Sequence, residues 1–530
     1  MQQKKLQVWL PLLFSLAMVA GMFFGYRMRD GMPGKSFFYL EKKRPLQEIM
    51  DLVETKYVDD VNIDKISDTA IQALLGKLDP HSSYIPAESL ESVNEDINGS
   101  FFGIGIEFNL IEDTLHVVNV LPDGPSARAN LQTGDRILKA GDSAISGKKM
   151  TVDRIRKILR GPLNSKVTLT LLRQQKIITI DVTRDIIPIP SLDAAYMMDA
   201  ETGYIRLNKF SSQTYREFMT SLMMLKQKHM KSLILDLRDN GGGVLDEAVE
   251  IADEFLDGDK LITYTEGRHT KKKEYRCRRQ GQFETGKLIV LANEGTASAS
   301  EILIGALQDW DRATVVGRRT FGKGLVQEQF NLSNNSAVRL TIARYYTPVG
   351  RSIQRSYANG GKAYYESFYN RAKTGELVSA DSIHNDTSLV YHTHAGKKIY
   401  GGGGITPDYF VGADTSGISL QSAQLLSSGI IPDFGYRYLL SNPGLMNKYP
   451  SSNTFVRQFN LDTAAWAMFN AMAKKDTIDI RKLTPKDTRY VSDALKSSIA
   501  RQLYRLEGYF ESINPADPAV IKALELVKQK

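Results

Sequence analysis

Three short stretches carry residue types suited to acyl transfer. The first is Asn293-Glu294-Gly295-Thr296-Ala297-Ser298-Ala299-Ser300-Glu301. The apolar run Leu288-Ile289-Val290-Leu291 precedes it, and a helical pattern over 298–310 follows. A serine there stands at the C-terminal edge of a sheet, where α/β folds place their sites. The N–H groups at the helix start can stabilise an oxyanion. The spacing Ser298-x-x-Glu301 also fits a capping box.

The second stretch is Thr320-Phe321-Gly322-Lys323-Gly324-Leu325-Val326-Gln327, after a strand at Thr314-Val315-Val316. Lys323 lies between two glycines, as a lysine entering a cramped site would. Away from water its pKa falls, and it can act as a general base. Gly317-x-x-x-x-Gly322-Lys323 approaches a phosphate-binding loop, but Gly324 stands where a Ser or Thr would hold Mg²⁺. The third stretch is Asp236-Leu237-Arg238-Asp239-Asn240-Gly241-Gly242-Gly243, after the strand Leu233-Ile234-Leu235. Three glycines at a strand-to-helix corner can turn backbone N–H groups toward an anion, or simply make a tight turn. If the three loops follow successive strands of one sheet they converge, and a serine, a lysine and an N–H nest specify acyl transfer by a Ser–Lys dyad.

The elements that must position these loops are legible around them. Residues 187–350 alternate strand and helix, which predicts a largely parallel sheet. Residues 45–97 read as helical, with Leu46, Ile49, Met50 and Val53 on one face. Residues 99–186 read as a compact β-rich domain containing two helices, a short one after the turn Pro122-Asp123-Gly124-Pro125-Ser126-Ala127 and one at Val152, Ile155, Ile158 and Leu159. A polar insertion is expected at 355–400, a tight turn at Gly401-Gly402-Gly403-Gly404, and a helical extension after Asp414. The expectation is a multidomain α/β chain. Its parts are an anchor segment at 1–30, a helical N-terminal region at 31–98, the β domain at 99–186, the α/β core at 187–412 and the extension at 413–530.

Composition narrows the classes. With 530 residues and 42% hydrophobic positions, the chain is neither wholly disordered nor a polytopic membrane protein. A net charge of +8 spread over this length does not argue for nucleic acid. The basic run at 267–281 reads as a solvated loop, with a lipid or nucleic-acid contact as the alternative, and its Cys277, the single cysteine, as an exposed thiol that excludes an intrachain disulfide. His392 and His394 have no clustered Cys or Asp, so no metal and no cofactor is expected. Residues 6–26 carry no charge and follow Lys4 and Lys5, so an uncleaved membrane anchor is expected, with a cleaved signal as the alternative.

These motifs together resemble the carboxyl-terminal processing, or tail-specific, proteases. The resemblance rests on Asp236-Leu237-Arg238-Asp239-Asn240-Gly241-Gly242, Gly295-Thr296-Ala297-Ser298-Ala299-Ser300-Glu301, Gly322-Lys323-Gly324-x-x-Gln327, Gly404-Ile405-Thr406-Pro407-Asp408 and Leu78-Asp79-Pro80-His81-Ser82-Ser83-Tyr84. It implies Ser298 as nucleophile, Lys323 as general base and Gln327 as the group that orients the lysine. It implies oxyanion donors at the backbone of Ala299 and of Gly242, the register within the glycine triple being open by one. It also implies that 99–186 is a PDZ domain whose Phe102-Gly103-Ile104-Gly105-Ile106 stretch binds a substrate's C-terminal carboxylate, the tail adding a strand to the sheet edge. The expected partners are proteins with free C-termini and a membrane, with self-association allowed for. The expected location is the periplasmic face of a bacterial inner membrane. A catalytically silent PDZ adaptor is the rival reading, against which Ser298, Lys323 and Gln327 together argue.

Overall fold

Within the strand Ser232–Asp236 the residues 233–235 read Leu-Ile-Leu, an unbroken apolar run, because both faces of the strand are covered. Leu233 and Leu235 point to one core, with Phe218, Ile251 and Leu303 from three helices. Ile234 points to the other, with Ile289, Leu291 and Val316. This computed structural model describes residues 3–31, 45–147, 150–414, 419–475 and 478–529. The chain forms two units, Met1–Ile71 and Gln72–Lys530.

In the first unit residues Gln3–Gly31 form one helix, followed by a helix at Pro45–Lys56. The apolar side chains Leu12, Phe14, Leu16 and Phe23 are exposed. Among the described residues no helix is long and apolar enough to cross a membrane.

In the second unit the central sheet has the order Leu192–Met197, Thr202–Leu207, Ser232–Asp236, Lys287–Ala292, Thr314–Gly317 and Tyr409–Phe410. Its first pair is antiparallel and the rest are parallel. Helices Thr214–Gln227, Leu245–Asp253 and Ala299–Asp309 cover one face. The other face is covered by Pro518–Lys528, whose Ala519, Val520 and Ala523 are buried on it. The last helix of the tail thus belongs to the core layer, which the reading of 413–530 as an extension did not foresee.

A second sheet runs Ser83–Ile85, Ala337–Tyr346, Leu261–Glu266, Lys273–Arg276, with Leu325–Asn331 also on Ala337–Tyr346. Two readings of the basic run are corrected here. Part of it is the strand Lys273–Arg276. Cys277 is buried, and its thiol is pushed up to about 12 by burial and then by Asp253, so it is no exposed reactive thiol. The insertion folds as a helix, Gly360–Lys373, and a hairpin, Val390–His392 with Lys398–Tyr400.

The β domain is an antiparallel sheet ordered Ile106–Ile111, Thr114–Val120, Arg136–Ala140, Lys166–Arg173, Lys176–Thr183. Ile106–Ile111 therefore lies at an edge. The helix Val152–Leu159 buries Ile155 and Leu159 against Leu115, Val117 and Leu169. The chain enters and leaves through the paired strands Ser100–Gly103 and Asp185–Pro188. A helical bundle from Leu420–Ser427 to Pro485–Ile513 packs around Phe434, Phe455 and Phe469.

Candidate active site

The two loops at the ends of strands Ser232–Asp236 and Lys287–Ala292 are sewn together. Asn293 Nδ2 donates to Asp239 Oδ1 at 2.7 Å, and the Asp239 amide donates to Asn293 Oδ1 at 2.8 Å. Thr296 Oγ1 donates to the Leu237 carbonyl at 2.8 Å. The Ala297 amide and the Ser300 hydroxyl both reach the Asn240 carbonyl, at 2.9 and 3.0 Å. Small residues between Asn293 and Ser300 allow this approach.

Ser298 tops the turn with φ 57° and ψ −117°. A capping serine has extended backbone with negative φ. Ser298 does not, and the Glu301 amide bonds to its carbonyl at 2.8 Å; the expected capping box is kept in its reciprocal half, the Ser298 amide donating to Glu301 Oε2 at 2.9 Å. The Ser298 backbone is held in a sparsely populated conformation of the kind found at functional sites. Gly242, at φ 91°, sits against it: a Cβ there would stand 2.8 Å from Ser298 Cβ and 2.8 Å from the Ala299 nitrogen. The Gly242 amide donates to Asn240 Oδ1 at 2.9 Å, so an anion reaching Gly242 competes with that oxygen. Ala299 is the first residue of its helix, where the N–H has no intrahelical acceptor.

One buried carboxylate ties this turn to the lysine loop. Glu301 Oε2 accepts from the amides of Ser298 and Lys323, both at 2.9 Å. Its Oε1 accepts from the Gly322 amide at 2.8 Å and from the Thr320 hydroxyl at 2.5 Å. Glu301 is fully buried, and burial pushes its carboxyl up to about 7 against those hydrogen bonds. The Tyr345 hydroxyl adds a second clasp, 2.7 Å from the Lys323 carbonyl oxygen and 3.1 Å from that of Ser298. Gly322, at φ 87°, has no room for a side chain, because the Gly404 nitrogen of the four-glycine turn lies 2.9 Å from where its Cβ would be.

Lys323 Nζ donates to Gln327 Oε1 at 2.9 Å, and Gln327 Nε2 donates to the His81 carbonyl at 2.5 Å. Among the described hydrogen bonds none joins Lys323 Nζ directly to Ser298 Oγ. Burial, and next the charge of Arg339, lower the lysine's pKa; Glu301 and Asp79 oppose them. Burial, then Lys323, brings His81 down to about 4, leaving a neutral ring whose Nε2 lies 3.0 Å from the Tyr364 hydroxyl.

Ser298, Ala299, Gly242, Lys323 and Gln327 are therefore gathered in one place. Glu301, Tyr345 and His81 belong to the same place and carry no role in the sequence reading. Glu301 had a signal as a cap and His81 as part of the Leu78–Tyr84 stretch, while nothing in the local sequence singled out Tyr345. The PDZ-type residues lie elsewhere. Gly103, Ile104 and Gly105 are buried, Ile104 in the β-domain core, while the half-buried Ile106 lines a cleft whose wall Gly105 also forms. His394 stacks on Trp310 with ring centroids 3.5 Å apart, and no metal-ligating cluster occurs among the described residues.

The sequence pattern of peptidase family S41 matches residues 201–360, that of the PDZ domain residues 103–183, and that of a family of unknown function residues 422–505. A carboxy-terminal-processing protease of Bartonella bacilliformis is 38% identical over 316 residues, covering 58% of this chain and 71% of that protein. The chain belongs to peptidase family S41. The resemblance read from its motifs, to the serine-type C-terminal processing proteases with a PDZ domain, therefore holds, and so does the multidomain α/β fold. A CtpA-like serine protease of Staphylococcus epidermidis is 32% identical over 324 residues; the match covers 60% of this chain and 65% of that one. The solved photosystem II D1 C-terminal processing protease is 25% identical, covering 71% of this chain and 88% of its own, with a TM-score of 0.34, too loose a likeness to carry an argument.

Proposed function

We propose that this S41 chain is a serine endopeptidase that cuts proteins at or near their C-terminal tails, with Ser298 as nucleophile and Lys323 as general base. The observation that carries the reading is the Glu301 carboxylate, one of whose oxygens accepts from the amides of both Ser298 and Lys323. Two residues 25 positions apart are thereby held at one buried point. In the reaction a neutral Lys323 takes the hydroxyl proton as Ser298 Oγ attacks the scissile carbonyl. The oxyanion draws on the Ala299 N–H and, in competition with Asn240, on that of Gly242. The lysine then gives its proton to the departing amine, and water releases the acyl group by the same steps in reverse roles. Gln327 orients the lysine between turnovers. To reach Ser298, Nζ rotates away from Gln327 Oε1.

In this reading the PDZ domain recruits the tail at its open edge strand, through the N–H groups from Gly103 to Ile106. In the same reading the chain works at the outer face of a bacterial inner membrane, and the uncharged residues 6–26 serve as its anchor or its export signal, a choice left to experiment because no described helix is long and apolar enough to cross. Intact retention in the membrane fraction supports the anchor; a shortened, released chain supports signal cleavage. The enzymatic test uses an unfolded protein with an apolar C-terminus, as free acid and as amide. Cleavage of the free acid by the native chain, slower cleavage of the amide and none by Ser298→Ala are expected. Full turnover by Ser298→Ala would return Ser298 to a structural role.

A further inference from the structure

The edge strand Ile106–Ile111 uses one side to pair with Thr114–Val120. Its other side faces a cleft of about 700 Å³, walled by Phe108, Val152 and Arg156 of the PDZ domain and by Ile431, Ser498 and Arg501 of the helical bundle. At the start of the strand the cleft continues into a second cavity of about 360 Å³, lined by Gly105, Leu121, Arg501 and Arg505. Ile106, Glu107 and Arg501 line both.

The bundle is docked on the PDZ domain. The Tyr436 hydroxyl lies 3.3 Å from His116 Nδ1, with the rings edge to face. The Arg505 guanidinium donates to the Val120 carbonyl at 3.2 Å and to Asn119 at 3.4 Å. The helix Pro485–Ile513 bends at this contact, where Arg505 has φ 60° and ψ −150°. The bundle thus forms a fixed wall opposite the strand.

We propose that this is a composite tail-binding cleft, in which Arg501 of the helical bundle pairs with the substrate's terminal carboxylate. The inference rests on the reading that the PDZ domain recruits C-terminal tails. A tail added to the edge strand, at about 3.3 Å per residue, runs along the larger cavity and ends at Gly105. Backbone N–H groups there bind the carboxylate but leave its charge uncompensated. Arg501 stands where the two cavities meet, is exposed, and has no acceptor among the described hydrogen bonds and ion pairs. The neighbouring cations are occupied, Arg505 by the PDZ backbone and Arg156 by Asp153 at 3.5 Å. A guanidinium fork matches a carboxylate through two parallel hydrogen bonds, about twice as strong as neutral ones. Apolar Ile106, Phe108, Val152 and Ile431 suit the side chains behind it.

The test measures binding of one fluorescent apolar peptide, as free acid and as amide, to full-length Ser298→Ala. The parent is expected to prefer the acid. Adding Arg501→Gln should weaken the acid about tenfold, as loss of a charge-assisted pair implies, and leave the amide unchanged. Arg501→Lys should fall between. If the parent prefers the acid and Arg501→Gln keeps the same preference, or weakens both forms equally, the pairing is wrong while tail recognition by the PDZ domain stands. If the parent binds both forms alike, both readings fall.

Discussion

Glu301 offers the most exacting perturbation. In Glu301→Ala four donors lose their acceptor: the amides of Ser298, Gly322 and Lys323 and the Thr320 hydroxyl. A stranded buried donor costs about 1 kcal/mol at the low end of its range, so the local penalty is about 4 kcal/mol. That is a large part of the stability of a typical domain. Glu301→Gln is milder. Its amide nitrogen can face Thr320, whose hydroxyl oxygen can accept it, leaving the Gln oxygen on Ser298 and Lys323 and stranding the Gly322 amide and the Thr320 O–H, for about 2 kcal/mol. At about 1.4 kcal/mol per decade, hydrogen exchange at the Ser298 and Lys323 amides should speed up about 10³-fold in Glu301→Ala and no more than about 30-fold in Glu301→Gln. The raised carboxyl adds a pH signature. Its folded-state pKa of about 7 exceeds its ordinary value of 4.5, so its contribution is full below 4.5 and is lost as the pH rises through about 7. Glu301→Gln should remove that slope. Unchanged exchange at both amides in Glu301→Ala would refute the hub.

Ser298→Gly should be inactive yet more stable by about 1 kcal/mol, because glycine adopts the positive φ that strains serine; thermal unfolding reads the sign. Lys323→Arg should be inactive, since arginine stays protonated. In the native chain a lysine with a lowered pKa makes turnover rise with pH, and a pH-independent rate with chemistry limiting would contradict a lysine base. Gly242→Ala should lose at least about 10²-fold in turnover, because its Cβ would meet Ser298 Cβ and the Ala299 nitrogen at 2.8 Å; activity within a few-fold of native would show that the turn yields freely.

Much of the core was legible because strands covered on both faces leave continuous apolar runs, as in Leu233-Ile234-Leu235 and Leu288-Ile289-Val290-Leu291. The Ser298 and Lys323 loops were legible because close backbone approach leaves a signature of small residues. What local pattern could not reveal was proximity between distant segments. Ser83–Ile85 joins the strand Ala337–Tyr346 and so carries His81 to Gln327, more than two hundred residues away. Tyr345 looks like any strand tyrosine until its hydroxyl is found between the Ser298 and Lys323 carbonyls. Cys277 sits among arginines in sequence, yet it is buried as part of the same core as Phe255 and Phe283. The basic run misled because Arg279 is bound to Glu250 and Glu254 and does not simply face water.

The central claim, that Ser298 is made nucleophilic by Lys323, is tested most directly by mass spectrometry of the acyl-enzyme trapped from an activated ester peptide. The account predicts a single acyl adduct on the peptide containing Ser298, formed faster as the pH rises, and absent from Lys323→Ala at neutral pH. An adduct on another residue, or one that forms on Ser298 at the native rate in Lys323→Ala, would contradict it.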